Sequence, residues 1–160
     1  MQTREELFQK GEARTPDSNP QLESYKPFPV PVRAGAVVAA WLVPGGGHLV
    51  LGRVGRGLLF LVLIAGSFFF GLYLKGRLYT PMVTDPGTSV SHFDLISALW
   101  SFAQVGSGLC YGVSRLFGFG TVAHYSAPTS EYGNTFMFLA GLLNYLVIID
   151  AFDISAGRKR

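Results

Sequence analysis

The chain has 160 residues, a length that suits one domain, and 49% of its residues are hydrophobic while 14% are charged. Soluble domains average about 25% charged residues, so this composition argues against an ordinary soluble domain. The formal net charge is only +3 and the basic residues are scattered, which excludes a surface that follows nucleic-acid phosphates.

The N-terminal segment 1–33 is polar and rich in proline, and its charges balance. The stretch K-P-F-P-V-P-V-R at 26–33 alternates proline with apolar residues, a pattern that favours an extended polyproline-like backbone. No secretory signal peptide opens the chain, so the first hydrophobic segment would be an uncleaved signal and anchor. We interpret 1–33 as a polar tail that is disordered unless it lies on a partner.

Four long stretches contain no Asp, Glu, Lys or Arg, at 34–52, 57–74, 95–114 and 132–149. Each has about 18 to 20 residues, and as a helix each reaches about 27–30 Å, the thickness of the hydrocarbon core of a bilayer. A buried helix of a soluble protein is the alternative for any one stretch, but four would leave almost no polar chain to cover them.

The sequence therefore predicts an all-α integral membrane protein with about four transmembrane helices, because only helices or closed barrels satisfy their backbone in lipid. The membrane domain is predicted at 34–157, before a basic C-terminus at 158–160. The predicted spans are about 34–51, 57–75, 94–114 and 133–153.

The first span is interrupted by proline and three glycines, at Pro44, Gly45, Gly46 and Gly47. Proline removes an amide donor and glycine favours non-helical backbone. The helix before Pro44 would be only about 15 Å long. We expect this span to be kinked, or to be a half-length helix that re-enters.

Basic residues near the ends of the predicted spans are divided unequally between the two sides that four spans would define. Seven fall on one side: Lys26, Arg33, Lys75, Arg77, Arg158, Lys159 and Arg160. Three fall on the other: Arg53, Arg56 and Arg115. The positive-inside bias then predicts a multi-pass protein of the plasma membrane with both termini in the cytoplasm. This orientation depends on the first segment crossing completely.

Small and polar residues recur on one face of several spans, as they do where helices pack in lipid. The third span has such a stripe at Ser97, Ser101, Gln104, Gly108 and Gly112. The fourth has one at Gly133, Met137, Ala140, Asn144, Val147 and Ala151. The first contributes Ala36, Ala40, Val43 and Gly47. We predict that Gly108 and Gly112 form a close-packing pair.

Gln104 and Asn144 lie near the middle of the third and fourth spans. We predict that these two spans pack antiparallel and that the two amides hydrogen-bond, directly or through one intermediary, for about 0.6–2 kcal/mol. A polar substrate path through the same two amides is the functional alternative, although two amides without a charge make a poor ion or proton relay.

Asp150 and Asp153 are neighbours on one face near the end of the fourth span. Intramembrane carboxylates are functional candidates. These two come just before a basic C-terminus, so we interpret them as a solvated, partly ion-paired helix end.

Histidine and cysteine residues do not indicate a metal site. His48, His92 and His124 fall in three different loops or span ends, without the short spacing of zinc ligands, and we expect them at the surface or interface. The lone Cys110 excludes an internal disulfide and is expected to be a buried, inert thiol.

The segment G-R-V-G-R-G at 52–57 lacks the Lys-Ser/Thr ending of a phosphate loop. We expect a tight hairpin there, with arginines that meet lipid phosphates.

The segment P-G-G-G-H-L-V-L-G-R at 44–53, followed by Gly55 and Gly57, resembles the hairpin of the two-transmembrane-helix domain family. That family joins two helices by a turn of the form G-x-x-G-x-H-x-F-Y-L-G-R. The hairpin residues Gly47, His48, Leu51, Gly52 and Arg53 follow the pattern, whereas Leu49 and Val50 stand roughly where aromatic residues are usual.

The late segment 145–152, with Asp150, also resembles the close of that family's second helix. The resemblance implies membrane embedding, as in small proteins of bacterial inner membranes, and no common chemistry. It also implies an alternative topology. If the hairpin faces the cytoplasm, Arg53 and Arg56 approach the Asp150–Asp153 end and the predicted orientation inverts.

No catalytic residue or metal ligand is predicted, and we expect no enzyme. The cofactor stays open, because a pigment, haem or lipid held by shape leaves no motif. The leading hypothesis is a structural or accessory subunit in the lipid bilayer that packs against partner membrane proteins or a second copy through its small-residue faces. The alternative is a small transporter or channel that acts as an oligomer, because broken helices build substrate sites.

Overall fold

The computed structural model describes residues 27–84, 90–122 and 127–158, and most of these residues are helical. The helices within these ranges are α1 (Val30–Leu42), α2 (Gly46–Val50), α3 (Val54–Tyr73), α4 (Leu95–Val105), α5 (Leu109–Leu116) and α6 (Ser130–Ser155). Strands β1 (Met82–Thr84) and β2 (Ser91–Phe93) form an antiparallel pair with Met82 opposite Phe93. Most of the predicted N-terminal tail, 1–26, lies outside the described residues.

The two longest helices, α3 and α6, form an antiparallel pair. They contain 20 and 26 residues, so they reach about 30 and 39 Å. In the described part of the chain, these are the two helices long and apolar enough to cross a membrane. Phe70 of α3 meets Phe136 of α6 at 5.1 Å between ring centroids. The second and fourth predicted spans are therefore continuous helices.

The first predicted span is not one helix but a hairpin, formed by α1 and α2. The backbone N–H of Phe28 donates to the carbonyl of Ser155 at 3.0 Å, so α1 begins at the C-terminal end of α6. The chain turns through Gly45 at φ 76°, a left-handed conformation that favours glycine. α2 then returns toward the same end, where Leu51 packs with Ala151 and Ile154. We call residues 30–53 the first hairpin.

The third predicted span, 94–114, is also a hairpin. α4 begins at the cap of Asp94, whose carboxylate accepts from the Ser97 N–H at 2.7 Å. The helix breaks at Gly106–Gly108, where Gly108 has φ 59°. α5 then returns, and beyond its end the carbonyl of Gly120 accepts from the Leu78 N–H at 2.7 Å. We call residues 95–120 the second hairpin.

α4 runs parallel to α6, not antiparallel as predicted. Trp100 lies 4.8 Å from Phe138 between ring centroids. Further along, the Tyr145 hydroxyl donates to the Phe102 carbonyl at 2.9 Å. Residue numbers increase in the same direction along α4 and α6 in these two contacts, so the two helices are parallel. The prediction of one antiparallel third span is wrong because the chain reverses within the segment.

The two hairpins enter from opposite ends of the α3–α6 pair and meet at its middle. A Cβ on Gly108 would collide with the Trp41 carbonyl, so the two tips are in direct backbone contact. Each hairpin is followed by one long helix. The second hairpin and α6 run in the opposite direction to the first hairpin and α3. The described chain thus repeats the order hairpin–long helix with inverted direction.

The surroundings of Gly108 and Gly112 can be compared with the prediction that the two glycines form a close-packing pair. A side chain at Gly108 would be strained by its positive φ and by the Trp41 carbonyl, whereas nothing lies within 4 Å of a Cβ at Gly112. We expect Gly108→Ala to lower the stability of the detergent-purified protein by at least the 1–3 kcal/mol that is roughly typical of overpacking. Thermal or denaturant unfolding measures the loss.

Gly112→Ala is the matched control, four residues away in the same hairpin. It replaces an exposed helical glycine and is expected to stabilise the protein by roughly 0.5–1 kcal/mol. Equal effects of the two substitutions would contradict the tip contact.

Candidate functional site

A buried histidine and a carboxylate join the first hairpin to α6. His48 is fully buried, and its Nε2 lies 3.1 Å from Oδ2 of Asp150. The contact depends on the neighbouring glycine, because a Cβ on Gly47 would lie 2.7 Å from the Ala36 carbonyl and 2.9 Å from Cβ of Ala151. The absent side chain lets α2 approach both α1 and α6 closely enough to place the imidazole beside α6.

The other sides of the imidazole are apolar or unsatisfied. The Phe60 ring meets it edge-on, with 5.1 Å between centroids and 62° between planes. His48 Nδ1 is buried, and no hydrogen-bond partner for it lies within the described residues.

The prediction of surface histidines is therefore wrong for His48. The pair joins residues 102 positions apart, a contact that sequence spacing does not reveal. The resemblance in the hairpin and in the late segment contained both His48 and Asp150, and it was the one signal that could have linked them.

Basic groups surround this end of α6. The backbone N–H of Arg53 donates to the backbone carbonyl of His48 at 2.8 Å, so this arginine lies close to the pair in the chain fold. Arg33 lies over the Phe152 ring at 5.5 Å. Arg158 pairs with Asp153 at 3.6 Å, with 70% of the arginine side chain exposed. Asp153 thus forms the expected ion pair at a solvated helix end, whereas Asp150 binds a buried residue.

The side chain of Gln104 hydrogen-bonds to the backbone of the segment that follows α3. It is fully buried. Its Nε2 donates to the Arg77 carbonyl at 3.0 Å and its Oε1 accepts from the Tyr79 N–H at 2.9 Å. One side-chain amide therefore completes the hydrogen bonds of two backbone groups outside any helix.

Asn144 holds the tips of both hairpins. Its Nδ2 donates to the Ala40 carbonyl at 3.1 Å and to the Gly106 carbonyl at 2.8 Å. The side chain is fully buried, and its Oδ1 has no hydrogen-bond partner within the described residues. The two amides thus bond to backbone groups of other segments, and the predicted bond between them, direct or through one intermediary, is not among the contacts of their side chains in the described residues.

The remaining predicted residues separate into buried and exposed groups. The buried ones are Ser97, Ser101, Ala140, Pro44, Gly45, Gly46 and Gly47. Gly52 and Gly112 are exposed, and Arg53, the residue before α3, is partly exposed. The pKa of the Asp94 carboxyl lies below its usual value because Ser97 hydrogen-bonds to it.

An apolar groove of about 490 Å³ runs between α3 and α6 and reaches the histidine–carboxylate pair. Its walls include Phe60, Leu63, Leu143 and Leu146, and Asp150 lines the groove as its one charged residue. Within residues 27–84, 90–122 and 127–158, no three His, Cys, Asp or Glu side chains are grouped to hold a metal ion.

Comparison with known proteins gives one match. The model of a family of unknown function (DUF6677) matches residues 35–160. This match begins within α1 and covers the rest of the first hairpin, the second hairpin and both long helices, and it is not to the two-transmembrane-helix domain family. Neither the curated proteins nor the solved structures contain a significant match.

The histidine–carboxylate pair predicts unequal roles for two neighbouring carboxylates. Asp150→Asn removes the charge beside a fully buried imidazole, and we expect a loss of about 1–3 kcal/mol in unfolding free energy. The control Asp153→Asn breaks an exposed pair and is expected to cost less than about 1 kcal/mol.

A double-mutant cycle with His48→Leu assigns the coupling energy to the pair. Additive effects of Asp150→Asn and His48→Leu would show that the imidazole and the carboxylate do not interact.

Proposed function

The chain belongs to the family of unknown function (DUF6677), and we propose that it is an integral membrane protein that acts as a structural or accessory subunit for partner membrane proteins. The observation that carries the proposal is a closely packed core, with backbone contacts that leave no room for side chains at Gly108 and Gly141, surrounded by a surface of large apolar side chains.

The surface favours a lipid environment. The most apolar 18-residue windows of α3 and α6 are only 22% and 33% buried, whereas the core helix of a soluble protein is mostly buried. Large apolar side chains are exposed along both helices, with Val62 at 67% and Leu146 at 63%. Contiguous apolar surface of this kind marks contact with a membrane or a protein.

The hairpins fit a membrane as re-entrant elements. Non-helical backbone is tolerated at membrane depth only where protein or a water-filled cavity surrounds it. Gly45 at one tip and Gly106 at the other are buried, and Asn144 satisfies a carbonyl at each tip. Under this proposal two helices span the bilayer and two hairpins re-enter it from opposite sides.

The distribution of charge favours cytoplasmic termini. The end that holds the His48–Asp150 pair also carries Arg33, Arg53, Arg56 and Arg158, and Lys159 and Arg160 follow in the sequence. The opposite end carries Lys75, Arg77 and Arg115. The positive-inside bias then places the pair and both termini at the cytoplasmic side. Relative to the four-span prediction, the loop 51–55 and the segment with Lys75 and Arg77 change sides, whereas the proposed orientation of the termini is the same.

The role of a subunit is favoured over that of a transporter by the closed tips. No side chain fits between Gly108 and the Trp41 carbonyl, or between Gly141 and the Ala103 carbonyl. The small residues are used inside the protein, so a partner would bind the large exposed side chains instead of the predicted small-residue faces.

One observation favours the alternative, a small transporter or channel. Inverted repeats with broken helices place substrate sites near the middle of the membrane. Here both hairpin tips and the buried, unsatisfied Oδ1 of Asn144 lie at that depth. Solute flux in liposomes that is lost in Asn144→Leu would establish this alternative over the subunit.

The topology can be tested with single cysteines in a Cys110→Ser background. We expect Gly55→Cys and Arg158→Cys to react with a membrane-impermeant maleimide from the same side, because the first hairpin returns to its starting end. Thr121→Cys, beyond the second hairpin, serves as the control and should react from the opposite side.

Labelling of Gly55→Cys from the side of Thr121→Cys would restore the four-span topology. Extraction at alkaline pH without detergent would contradict the membrane location itself.

The partner is tested by site-specific photo-crosslinking in cells. A photoreactive residue at Leu63, 54% exposed on α3, is expected to form an adduct with one recurring protein. The adjacent Ile64, 1% exposed, is the matched control and should give no intermolecular adduct. Lipid adducts alone at Leu63, together with a monomer in mild detergent, would contradict the proposed role.

A further inference from the structure

The end of α3 carries the one non-glycine residue with positive φ in the described ranges. Lys75 has φ 67°. The backbone N–H of Lys75 donates to the Leu72 carbonyl at 3.0 Å, and the N–H of Gly76 donates to the Gly71 carbonyl at 3.0 Å. These are the two bonds of a Schellman motif, whose left-handed position is usually glycine.

Three other helices end in the same motif with glycine at that position. These glycines are Gly52 after α2, Gly118 after α5 and Gly157 after α6, with φ of 77°, 75° and 75°. Each is followed by the longer bond of the motif, such as Phe119 N–H to the Ser114 carbonyl at 2.8 Å. In these three helices the left-handed position is filled by glycine, which adopts it without strain. In α3 the same position is filled by lysine.

Lys75 lines a groove of about 400 Å³ at this end of the protein. Phe69, Leu72 and Tyr73 form one wall, at helical spacing on α3, and Phe119 forms the other. Phe69 and Phe119 are 50% and 59% exposed. The groove is thus lined mainly by apolar side chains, and Lys75 is the one charged residue among them.

The second wall is held rigidly against α3. The Leu78 N–H donates to the Gly120 carbonyl at 2.7 Å. A Cβ on Gly120 would lie 2.8 Å from Cδ2 of Leu72. The backbone beside the aromatic wall is therefore hydrogen-bonded to the segment that follows α3 and packs against Leu72.

The charge of the groove is not compensated by its own walls. No carboxylate lines it, and none in the described part of the chain pairs with Lys75. A cation above an apolar, aromatic groove is complementary to an anion that carries a hydrocarbon chain. Tyr73, beside it, is a residue type that is enriched where the bilayer meets water.

We propose that this groove binds one anionic glycerophospholipid, with its phosphate at the Lys75 ammonium and an acyl chain along Phe69, Leu72 and Phe119. The inference rests on the proposed membrane location, which puts the end of α3 at the level of the headgroups. It explains why lysine occupies a backbone position that glycine would fill without strain.

The test is native mass spectrometry of the full-length protein in mild detergent, titrated with phosphatidylglycerol or phosphatidylcholine. The wild type should retain phosphatidylglycerol preferentially. Lys75→Gly should lower that retention about five-fold, because that is roughly the gain in affinity that one basic residue contributes near an anionic membrane surface. The same variant should unfold at an equal or higher temperature, because glycine relieves the left-handed backbone.

Two controls separate charge at this position from charge in general. Lys75→Arg keeps the cation and should keep the preference. Arg115→Gln removes an exposed cation at the same end but outside the groove, and should leave the preference unchanged. Equal retention of phosphatidylglycerol by Lys75→Gly and the wild type would overturn the proposal, as would a wild type without preference between the two lipids.

Other occupants have distinct outcomes that also overturn it. Competition by glycerol phosphate as strong as by the whole lipid would show a headgroup site without an acyl chain. A dimer that dissociates in Lys75→Gly would show that a second copy fills the groove. A protein that stays folded and monodisperse without detergent or lipid would instead refute the membrane location, and with it the proposed function.

Discussion

The fold depends on one buried amide at the middle of the molecule. Asn144 donates both of its N–H groups, to the Ala40 carbonyl in the first hairpin and the Gly106 carbonyl in the second. A carbonyl without a partner in apolar surroundings costs roughly 1–3 kcal/mol, so each hairpin break needs a donor at that depth. An asparagine side chain supplies two donors from one position. The two hairpins are therefore positioned by the same residue of α6.

Close backbone approach is the second constraint, and it explains where glycine is required. α6 approaches α4 so closely that a Cβ at Gly141 would collide with the Ala103 carbonyl. The same closeness at Gly47 brings His48 against α6. Under the proposed membrane location, contacts of this kind would replace the hydrophobic driving force that helices lack in lipid, where van der Waals packing between small residues is what remains. The glycines thus determine the packing, and the large side chains are left on the outside.

The sequence predicts the two continuous helices because an uncharged run of helical length has few alternative interpretations. It also predicts that Pro44 and the glycines after it interrupt the first segment, since proline and glycine act locally. The break at Gly106–Gly108 is missed, because G-S-G within an apolar run is equally compatible with a close-packed straight helix. The His48–Asp150 pair and the partners of Gln104 are missed for another reason: these contacts join distant segments, and their register depends on chain reversals that local patterns do not encode.

The two hairpins differ in what holds them beyond Asn144. The second hairpin is held by neutral groups, since Gln104 bonds to the backbone of 77–79 and Tyr111 donates to the Tyr79 carbonyl at 3.0 Å. The first is held by an ionisable pair, His48 with Asp150, and by the glycine contact beside it. Neutral hydrogen bonds do not change with protonation, whereas the strength of an imidazole–carboxylate contact depends on the charge of both partners. The inverted repeat is therefore similar in its path but not in its chemistry, and the ionisable half lies at the end where Phe28 bonds to Ser155.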